Sequence, residues 1–256
     1  MKILSLNTWQ ERGPWRERWE VILRGLEEYR PDIIGFQEVF NADWVRKIQR
    51  RSGYFSLALA GKGETGLALM SRYPLLRWQC LKMRTQSPTE PYSRYALFAE
   101  FGTGKGTVSV FNTHLSWRLP ESSVRQKQVG ELSGFIQNQA IGGEIAVMGD
   151  FNATPDAPEI AQLMKQGDLT DTYGQRYPKK PGLTWSHANP YSLEAARLDA
   201  CYPLPERRID YIFVKKGSRL VKSLQDIQIV YTRRDARGFW ASDHYGLLAS
   251  IAEGTA

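Results

Sequence analysis

Runs of apolar residues that stop at a polar side chain recur along this chain. Residues 145–148 are apolar, a glycine follows, and the next three residues are Asp150, Phe151 and Asn152. Four or five residues rich in Val and Ile between Gly and Pro are typical of a buried strand. Side chains alternate along a strand, so Asp150 and Asn152 are predicted to point the same way while Phe151 enters the core. The alternative is an Asx-type turn that closes the strand.

The same periodicities predict both strands and helices. Apolar residues at helical spacing predict helices over 15–29, 42–51, 121–139 and 157–166. Apolar runs bounded by Gly, Pro or polar residues predict strands over 2–7, 32–39, 55–60, 65–71, 75–83, 94–101, 107–113, 145–150, 208–214, 227–231 and 245–251. Residues 169–201, rich in Pro, Gly, Tyr and Asn, are predicted to form a long irregular loop of the kind that usually has a function.

The predicted strands fall into antiparallel runs with helices between them, in two similar halves. Strands of one half end on Asn7 and Glu38, and the strand of the other half ends on Asp150 and Asn152. A sandwich of two sheets with helices on the outer faces would bury both apolar faces and bring these ends to one edge. At 256 residues without a linker-like segment, the chain is expected to form a single domain, 1–256.

Composition limits the partners and the compartment. Lys and Arg number 34 against 27 Asp and Glu, a net charge of +7 that favours anionic partners, and the basic residues are scattered rather than gathered in a tail. Cys80 and Cys201 lack disulfide-framework or metal-ligand spacing. Neither a signal peptide nor an apolar run approaching the roughly 20 residues of a membrane span is found. A cytoplasmic protein without stable membrane association is expected.

Three further segments place a charged or imidazole side chain beside an apolar strand. His114 ends one such run, Asp210 lies within another, and Asp243 and His244 precede the last strand. Two of the chain's three histidines therefore occupy these positions. A single histidine is more often structural, but a Ser-Asp-His triplet together with several carboxylates and amides at strand ends indicates a reactive site.

Six motifs in one order carry a resemblance to a known family. They are LSLNTW, GFQEV, FNTHLS, GDFNA, RIDYIFV and SDHYG, and they extend from near residue 4 to near residue 250. The chain thereby resembles the endonuclease/exonuclease/phosphatase superfamily. The resemblance implies an α/β (α+β) fold, a four-layer αββα sandwich of two mixed β-sheets packed face to face with helices outside. It also implies hydrolysis of a phosphate ester assisted by a divalent metal.

The resemblance also implies a metal site. Glu38 is similar to the family's principal metal ligand, with Asn7 and Asp243 near the metal and able to share it. Oxygen ligands suit a hard ion, so Mg²⁺ is the first candidate and Mn²⁺ the second. The absence of a cysteine from this set disfavours zinc.

The remaining motif residues resemble the family's catalytic group. Asp150 corresponds to the residue that activates or orients the attacking water, and Asn152 to a donor to the phosphate. His244 corresponds to the imidazole nearest the scissile phosphate, held in its tautomer by Asp210, whose charge would raise the pKa of His244. His114 resembles a second imidazole that stabilises phosphoryl charge. Glu64 could orient His114, the alternative being a solvated turn glutamate.

The substrate is less well defined by the sequence. His114 in NTHL disfavours the apurinic-endonuclease branch and is similar to the branch of deoxyribonucleases, deadenylases, neutral sphingomyelinases and inositol phosphatases. The expected function is metal-dependent hydrolysis of an anionic phosphodiester by water. The alternatives are a nuclease acting on DNA or RNA, a sphingomyelinase-like lipid headgroup phosphodiesterase or phosphomonoesterase, and a catalytically silent phosphate-binding module.

Four side chains are candidates for binding the substrate: Arg94, Trp185, Arg237 and Trp240. Trp240 lies two residues before Ser242, and arginines are close by in sequence. An aromatic ring with an arginine could stack a base or line a headgroup pocket. The alternatives are a tryptophan that fills a loop and a solvated arginine turn.

Overall fold

The computed structural model describes residues 1–140, 142–198 and 204–252. Its strands are β1 (Lys2–Asn7), β2 (Ile33–Gln37), β3 (Ser56–Ala60), β4 (Leu67–Ser71), β5 (Leu75–Lys82), β6 (Tyr95–Thr103), β7 (Gly106–His114), β8 (Ile145–Asp150), β9 (Leu169–Asp171), β10 (Asp210–Lys215), β11 (Leu224–Val230) and β12 (Gly246–Ile251). Its helices are α1 (Trp15–Tyr29), α2 (Ala42–Ser52), α3 (Ser122–Gln139), α4 (Pro158–Gly167), α5 (Thr172–Arg176), α6 (Pro190–Leu198) and α7 (Arg219–Lys222). None of these described helices is long and apolar enough to cross a membrane.

The described strands form two six-stranded sheets with the same internal pattern. The first sheet has the order β11-β12-β1-β2-β4-β3 and the second β5-β6-β7-β8-β10-β9. In each sheet only the central pair is parallel, β1 with β2 and β7 with β8, and the other pairs are antiparallel. A long helix connects each parallel pair, as a crossover requires. The two similar halves predicted from the sequence are therefore two sheets of equivalent topology.

Three apolar clusters separate four layers. One cluster lies between the sheets and includes Ile3, Ile33 and Met148. The second packs α1 and α2 against the first sheet, and the third packs α3 and α4 against the second sheet. Because each sheet is covered on both faces, its central strands are almost continuously apolar. The predicted αββα sandwich is confirmed.

Strand alternation determines where the polar strand ends point. In β8, Ala146 and Met148 join the cluster between the sheets, whereas Ile145 and Val147 join the cluster beneath α3. Asp150 points to the same side as Ala146 and Met148, toward the space between the sheets, because side chains along a strand alternate with a period of two. The same alternation in β1, β7 and β10 directs Asn7, His114 and Asp210 toward the space between the sheets. The polar ends therefore meet above the core between the sheets.

A close contact and a polar link set the spacing of the two sheets below these ends. A Cβ atom on Gly35 would lie 2.4 Å from the Sδ atom of Met148 in the opposite sheet. Gln37 Nε2 donates a hydrogen bond to Asn112 Oδ1 at 2.7 Å, and both side chains are fully buried. The Asn112 amide in turn donates to the backbone carbonyls of Phe36 and Ala68. A buried amide pair thus joins the sheets directly beneath the polar strand ends.

The prediction of one irregular loop over 169–201 was wrong for most of its length. The described part of this stretch contains β9, α5 and α6. Helix α6 begins at Pro190, and Asn189 Oδ1 accepts a hydrogen bond from the Tyr191 backbone N–H. An asparagine followed by proline is a helix-start signal. The buried residues of this short helix are the small Ser192, Ala195 and Ala196, which give no apolar periodicity in the sequence. Cys201 lies outside the described residues.

A buried ion pair ties α3 to α4 in the outer layer. Arg125 Nε lies 2.6 Å from Glu159 Oε1, and the Glu159 side chain is fully buried. We expect Glu159→Ala to lower the free energy of unfolding by about 3–5 kcal/mol, because it leaves a guanidinium buried without its partner. Urea unfolding followed by circular dichroism measures the change. Glu20→Ala breaks the exposed pair with Arg51 and should cost below about 1 kcal/mol; equal losses would contradict the expectation.

Candidate active site

The polar strand ends line one cavity at the edge where the two sheets meet. The register pairs His114 with Asp150 across β7 and β8, and Asp150 with Asp210 across β8 and β10. The cavity opens to solvent. Of the predicted metal and catalytic residues, Glu38, His114, Asp150, Asn152, Asp243 and His244 line it. Asn7 and Asp210 lie directly behind this lining and hydrogen-bond to it.

Asp210 and His244 form a buried pair. His244 Nδ1 and Asp210 Oδ2 are 2.9 Å apart, and the opposite ring nitrogen, Nε2, lies 3.7 Å from Asp150 Oδ2. Burial opposes the charge on His244, but Asp210, Asp243 and Asp150 together raise its pKa well above the usual value. This shift favours the imidazolium form, in which Nδ1–H donates to Asp210 and Nε2–H faces Asp150.

The pKa of His114 is shifted in the opposite direction from that of His244. Its Nε2 atom lies 3.6 Å from Asp150 Oδ2 and 3.9 Å from Glu38 Oε1. Burial lowers the pKa of His114 well below the usual value, and the charges of Arg94 and His244 lower it further. The two imidazoles beside Asp150 thus have pKa values shifted in opposite directions, which favours the neutral form of His114 and the charged form of His244.

Three carboxyl groups in the cavity hold their protons more tightly than usual. Burial raises the pKa of Asp150 to about 6 and that of Asp243 to about 7. Burial also raises the pKa of Glu38, although hydrogen bonds from Asn7 and Gln10 oppose the shift. A cation bound among them would stabilise their ionised forms. Their oxygen donors suit Mg²⁺ or Mn²⁺.

The Asn7 side chain presents nitrogen, not oxygen, to the carboxylates. Its Oδ1 atom accepts the Trp9 backbone N–H at 3.0 Å, which fixes the orientation of the amide. Its Nδ2 atom donates to Glu38 Oε1 at 3.1 Å and to Asp150 Oδ2 at 3.0 Å. Gln10 Nε2 donates to the other Glu38 oxygen at 2.9 Å. In this arrangement Asn7 orients two carboxylates through its Nδ2 atom.

The Asp150–Asn152 segment is both a strand end and an Asx turn. The Asn152 backbone N–H donates to Asp150 Oδ1 at 2.9 Å, which is the turn considered as the alternative in the sequence. Strand β8 ends at Asp150, so Asn152 lies beyond it, and Phe151 is fully buried as predicted. Gly149 has φ +144°, and a Cβ there would lie 2.0 Å from the Thr113 carbonyl oxygen. Only glycine fits at this position.

Left-handed backbone conformations concentrate around the cavity. Trp9, Gln10, Glu38 and Asn152 have φ values of 52°, 49°, 55° and 50°. Such conformations cost free energy for residues other than glycine and persist where surrounding contacts hold them. Four of the seven such residues in the described chain belong to this site.

Arg18 supplies the contacts that hold the Trp9–Gln10 turn. The guanidinium is fully buried and donates five hydrogen bonds, all to backbone carbonyl oxygens. Four acceptors lie in the β1–α1 connection, on Thr8, Trp9, Gln10 and Arg12, and the fifth is Ala241 at 3.1 Å. Arg18 therefore fastens the segment after Asn7 to the segment before Asp243. Nothing in the sequence around Arg18 signalled this role.

We expect Arg18→Lys to lower the free energy of unfolding by about 2–4 kcal/mol, because one ammonium group cannot reach five carbonyl oxygens in two segments. Urea unfolding measures the loss. Arg16→Lys, on the exposed face of the same helix, is the matched control and should change stability by less than about 0.5 kcal/mol. Identical unfolding curves for the two variants would contradict the expectation.

A family comparison agrees with the order of the motifs along the chain. The model of the Endonuclease/Exonuclease/phosphatase family matches residues 4–244, nearly the whole chain. The chain belongs to this family. Its members include metal-dependent nucleases and phosphoesterases, as the sequence motifs implied.

Two curated relatives match part of the chain. Protein angel from Drosophila melanogaster is 29% identical over 175 residues, which is 62% of this chain and 49% of that protein. Exodeoxyribonuclease III from Haemophilus influenzae is 24% identical over 168 residues, 62% of this chain and 60% of that protein. The matched region thus covers less than two thirds of either relative.

Solved structures of the family share the fold across almost the full length. TDP2 from D. rerio, complexed with a single-strand DNA product, superimposes with a TM-score of 0.75 at 18% identity, covering 97% of both chains. A mannosyl-6-phosphatase from Bacteroides thetaiotaomicron gives a TM-score of 0.74 at 17% identity, covering 98% of this chain and 99% of the other. At these identities the likeness establishes the fold alone.

The predicted substrate-binding residues divide into two pairs. Arg94 and Trp185 line the cavity, Arg94 in a buried ion pair with Glu90 at 2.8 Å. Arg237 is exposed and donates from Nε to Asp235 at 3.0 Å, and Trp240 stacks on Tyr245 with ring centroids 6.1 Å apart. The structure brings neither Arg237 nor Trp240 to the cavity, because their local partners hold them elsewhere. The side chain of Glu64 lies outside the described part of the structure.

The structure also places side chains in the cavity that the sequence motifs did not single out. They are Trp9, Gln10, Arg12, Pro91, Tyr92, Trp117, Ala195, Ala196, Leu204, Arg207 and Ile209. Trp9 belongs to the LSLNTW motif, two residues after Asn7, and Ile209 belongs to the RIDYIFV motif, directly before Asp210, so these motifs were the available signals. The others come from connections and from α6, where the sequence showed no site pattern.

Proposed function

We propose that this member of the family is a divalent-metal-dependent phosphodiesterase that hydrolyses a P–O bond by attack of water. The observation that carries the proposal is the position of Asp150 Oδ2, which lies within 3.6 Å of His114 Nε2 and 3.7 Å of His244 Nε2. A carboxylate flanked by one neutral and one charged imidazole can accept a proton while both rings donate hydrogen bonds. A general base for the water proton and hydrogen-bond donors for the developing phosphoryl charge both promote phosphodiester hydrolysis.

We propose Glu38 and Asp243 as the residues that hold Mg²⁺ or Mn²⁺, with Asn7 and Gln10 orienting Glu38. When bound, the ion supplies positive charge at the phosphoryl oxygens. Asp150, Asp210 and His244 also have ligand atoms within 4.8 Å of one another and could hold a metal. We favour the first arrangement because the 2.9 Å hydrogen bond between Asp210 and His244 Nδ1 already uses this pair.

In the proposed reaction, Asp150 takes a proton from the attacking water as the oxygen atom of the water bonds to phosphorus. The bond from phosphorus to the leaving oxygen breaks, the leaving oxygen takes up a proton from the solvent that reaches the open cavity, and Asp150 returns its proton to solvent afterwards. The products are a phosphomonoester and an alcohol. His244 and His114 donate N–H groups to the phosphoryl oxygens, where negative charge develops. Asn152 uses one amide N–H on the Leu115 carbonyl and has a second for the phosphate. Asp210 keeps His244 oriented and charged.

A substrate panel tests this proposal. Bis(p-nitrophenyl) phosphate, p-nitrophenyl phosphate, single-stranded DNA, RNA, sphingomyelin and inositol phosphates are each assayed with Mg²⁺ and with excess chelator. We expect metal-dependent release of p-nitrophenol from the diester at a higher kcat/KM than from the monoester. A preference for the monoester would indicate a phosphatase, and binding of these compounds without turnover would indicate a silent phosphate-binding module. Either result would contradict the proposal.

A further inference from the structure

The segment that carries Asp243 and His244 lies just outside the sheet. Residues 241–245 are irregular, and β12 begins only at Gly246. All five residues of this segment are buried. Because buried backbone N–H and C=O groups need hydrogen-bond partners, this segment must find them outside a strand ladder. Contacts from distant parts of the chain therefore determine where the two side chains lie.

Three distant residues hold the backbone of this segment. Arg18 donates to the carbonyl oxygen of its first residue, and the Thr184 carbonyl oxygen accepts the N–H of its last residue at 2.8 Å. Between these two contacts, Asn189 Nδ2 donates a hydrogen bond to the Ser242 carbonyl oxygen at 2.7 Å. The contact from Asn189 is the one nearest to Asp243, because Ser242 directly precedes that residue.

The Asn189 amide uses both of its hydrogen-bonding functions. The side chain is fully buried, and its Oδ1 atom accepts the Tyr191 backbone N–H at 3.1 Å at the start of α6. A backbone N–H only donates and a carbonyl only accepts, so the two partners fix the orientation of the amide. Aspartate has the same size but no donor, and serine is one bond shorter. Asn189 therefore connects the start of α6 to Ser242 in a way that neither residue could reproduce.

The position of Ser242 affects both of the site residues that follow it. Ser242 Oγ donates to Asp243 Oδ1 at 3.0 Å and accepts the His244 backbone N–H at 3.3 Å. Residues that orient metal ligands from outside typically change metal affinity or activity by about 10- to 100-fold when they are replaced. A displacement of Ser242 would move the proposed metal ligand and the proposed phosphate donor together.

We propose that Asn189 is a positioning residue, which sets the location of Asp243 and His244 through its hydrogen bond to the Ser242 carbonyl oxygen. It acts through these residues and contacts neither metal nor substrate itself. The inference rests on the proposed function, in which Asp243 holds the metal and His244 donates to the phosphate. Asn189 lies within residues 169–201, the stretch whose composition indicated a function.

Two variants separate this contact from the capping of α6. Asn189→Ser keeps an oxygen that can accept the N–H at the start of α6, because serine is a good helix cap, but it cannot reach Ser242. Asn189→Asp keeps the size and the cap and replaces the donor by an oxygen. Asn41→Ser is the matched control, because Asn41 is exposed and accepts two backbone N–H groups at the start of α2.

Hydrogen exchange followed by mass spectrometry measures how firmly the segment is held. We expect the amides of residues 241–245 to exchange at least about fivefold faster in both Asn189 variants and at the wild-type rate in Asn41→Ser. Exchange in β8, at the centre of the second sheet, should stay unchanged. Wild-type exchange at 241–245 in the Asn189 variants would overturn the proposal. Faster exchange throughout the protein would also overturn it, because Asn189 would then support the whole fold.

Calorimetric Mg²⁺ titration and kinetics with bis(p-nitrophenyl) phosphate measure the consequence for the site. We expect Asn189→Ser to bind Mg²⁺ about tenfold more weakly, and kcat to fall by about 10- to 100-fold in both Asn189 variants. Asn41→Ser should match the wild type. Faster exchange together with wild-type Mg²⁺ affinity and wild-type kcat would overturn the proposal.

Failure of the proposed function is recorded separately from failure of this inference. It would show as no hydrolysis of the diester by the wild-type protein with Mg²⁺. Exchange rates and Mg²⁺ affinity remain measurable in that case, because neither depends on turnover.

Discussion

His244→Ala should lower kcat for bis(p-nitrophenyl) phosphate by about 10³-fold while the protein stays folded. The variant loses the imidazolium whose Nε2–H faces Asp150 and the cavity, and with it the positive charge that Asp210, Asp243 and Asp150 maintain. It also leaves Asp210 as a fully buried carboxylate without its 2.9 Å partner. Steady-state kinetics and circular dichroism on the same preparation measure activity and fold.

His187→Ala is the matched control for this prediction. His187 is the chain's remaining histidine, and its Nε2 contacts the Leu204 backbone oxygen at 2.6 Å. It does not line the cavity in the described structure. We expect the control to retain nearly full activity. Activity of His244→Ala within tenfold of wild type would remove His244 from the proposed mechanism.

Glu38→Ala should abolish detectable hydrolysis and weaken Mg²⁺ binding by more than about 100-fold. Glu38 receives amide hydrogen bonds on both carboxylate oxygens, from Asn7 at 3.1 Å and from Gln10 at 2.9 Å, so its orientation is fixed before a metal arrives. Burial that raises the pKa of Glu38 also makes a bound cation favourable for it. Calorimetric Mg²⁺ titration and kcat/KM measure the two losses.

The wild-type protein should lose its activity in excess chelator and regain it with Mg²⁺ or Mn²⁺. Glu27→Ala, at an exposed position of α1, controls for removal of a carboxylate and should behave as wild type. Activity that is indifferent to chelator would contradict a metal-dependent reaction. Unchanged Mg²⁺ affinity in Glu38→Ala would instead indicate that other residues bind the metal, such as the group formed by Asp150, Asp210 and His244.

The polar strand ends could be predicted because their signal is local. An apolar strand that stops at a carboxylate, amide or imidazole specifies both the element and the direction of its last side chain, as Asp150 and His114 illustrate. The strands and helices that were predicted differ from the observed ones by a few residues at their ends. Equivalent β–α–β connections then allowed only one edge where such ends could meet.

The remaining features depend on contacts between distant segments. Arg18 is buried because five carbonyl oxygens surround it, and one of them belongs to Ala241, 223 residues away. The orientation of the Asn7 amide follows from the left-handed turn at Trp9, which no propensity indicates. Helix α6 was missed because alanines cover its buried face. Arg237 forms an ion pair with Asp235 instead of lining the cavity. The sequence shows that the two residues are close, but it does not show whether the arginine binds this aspartate or a substrate.

The spacing between the two sheets determines how far apart the acidic groups of the site lie. Glu38 follows the central strand β2 of one sheet, and Asp150 ends the equivalent strand β8 of the other, so neither sheet alone contains the site. The distance between these two acids is set below them, where Gly35 meets Met148 and Gln37 meets Asn112. We expect a substitution that forces the two sheets apart at this point to lower the proposed activity without changing any reacting group.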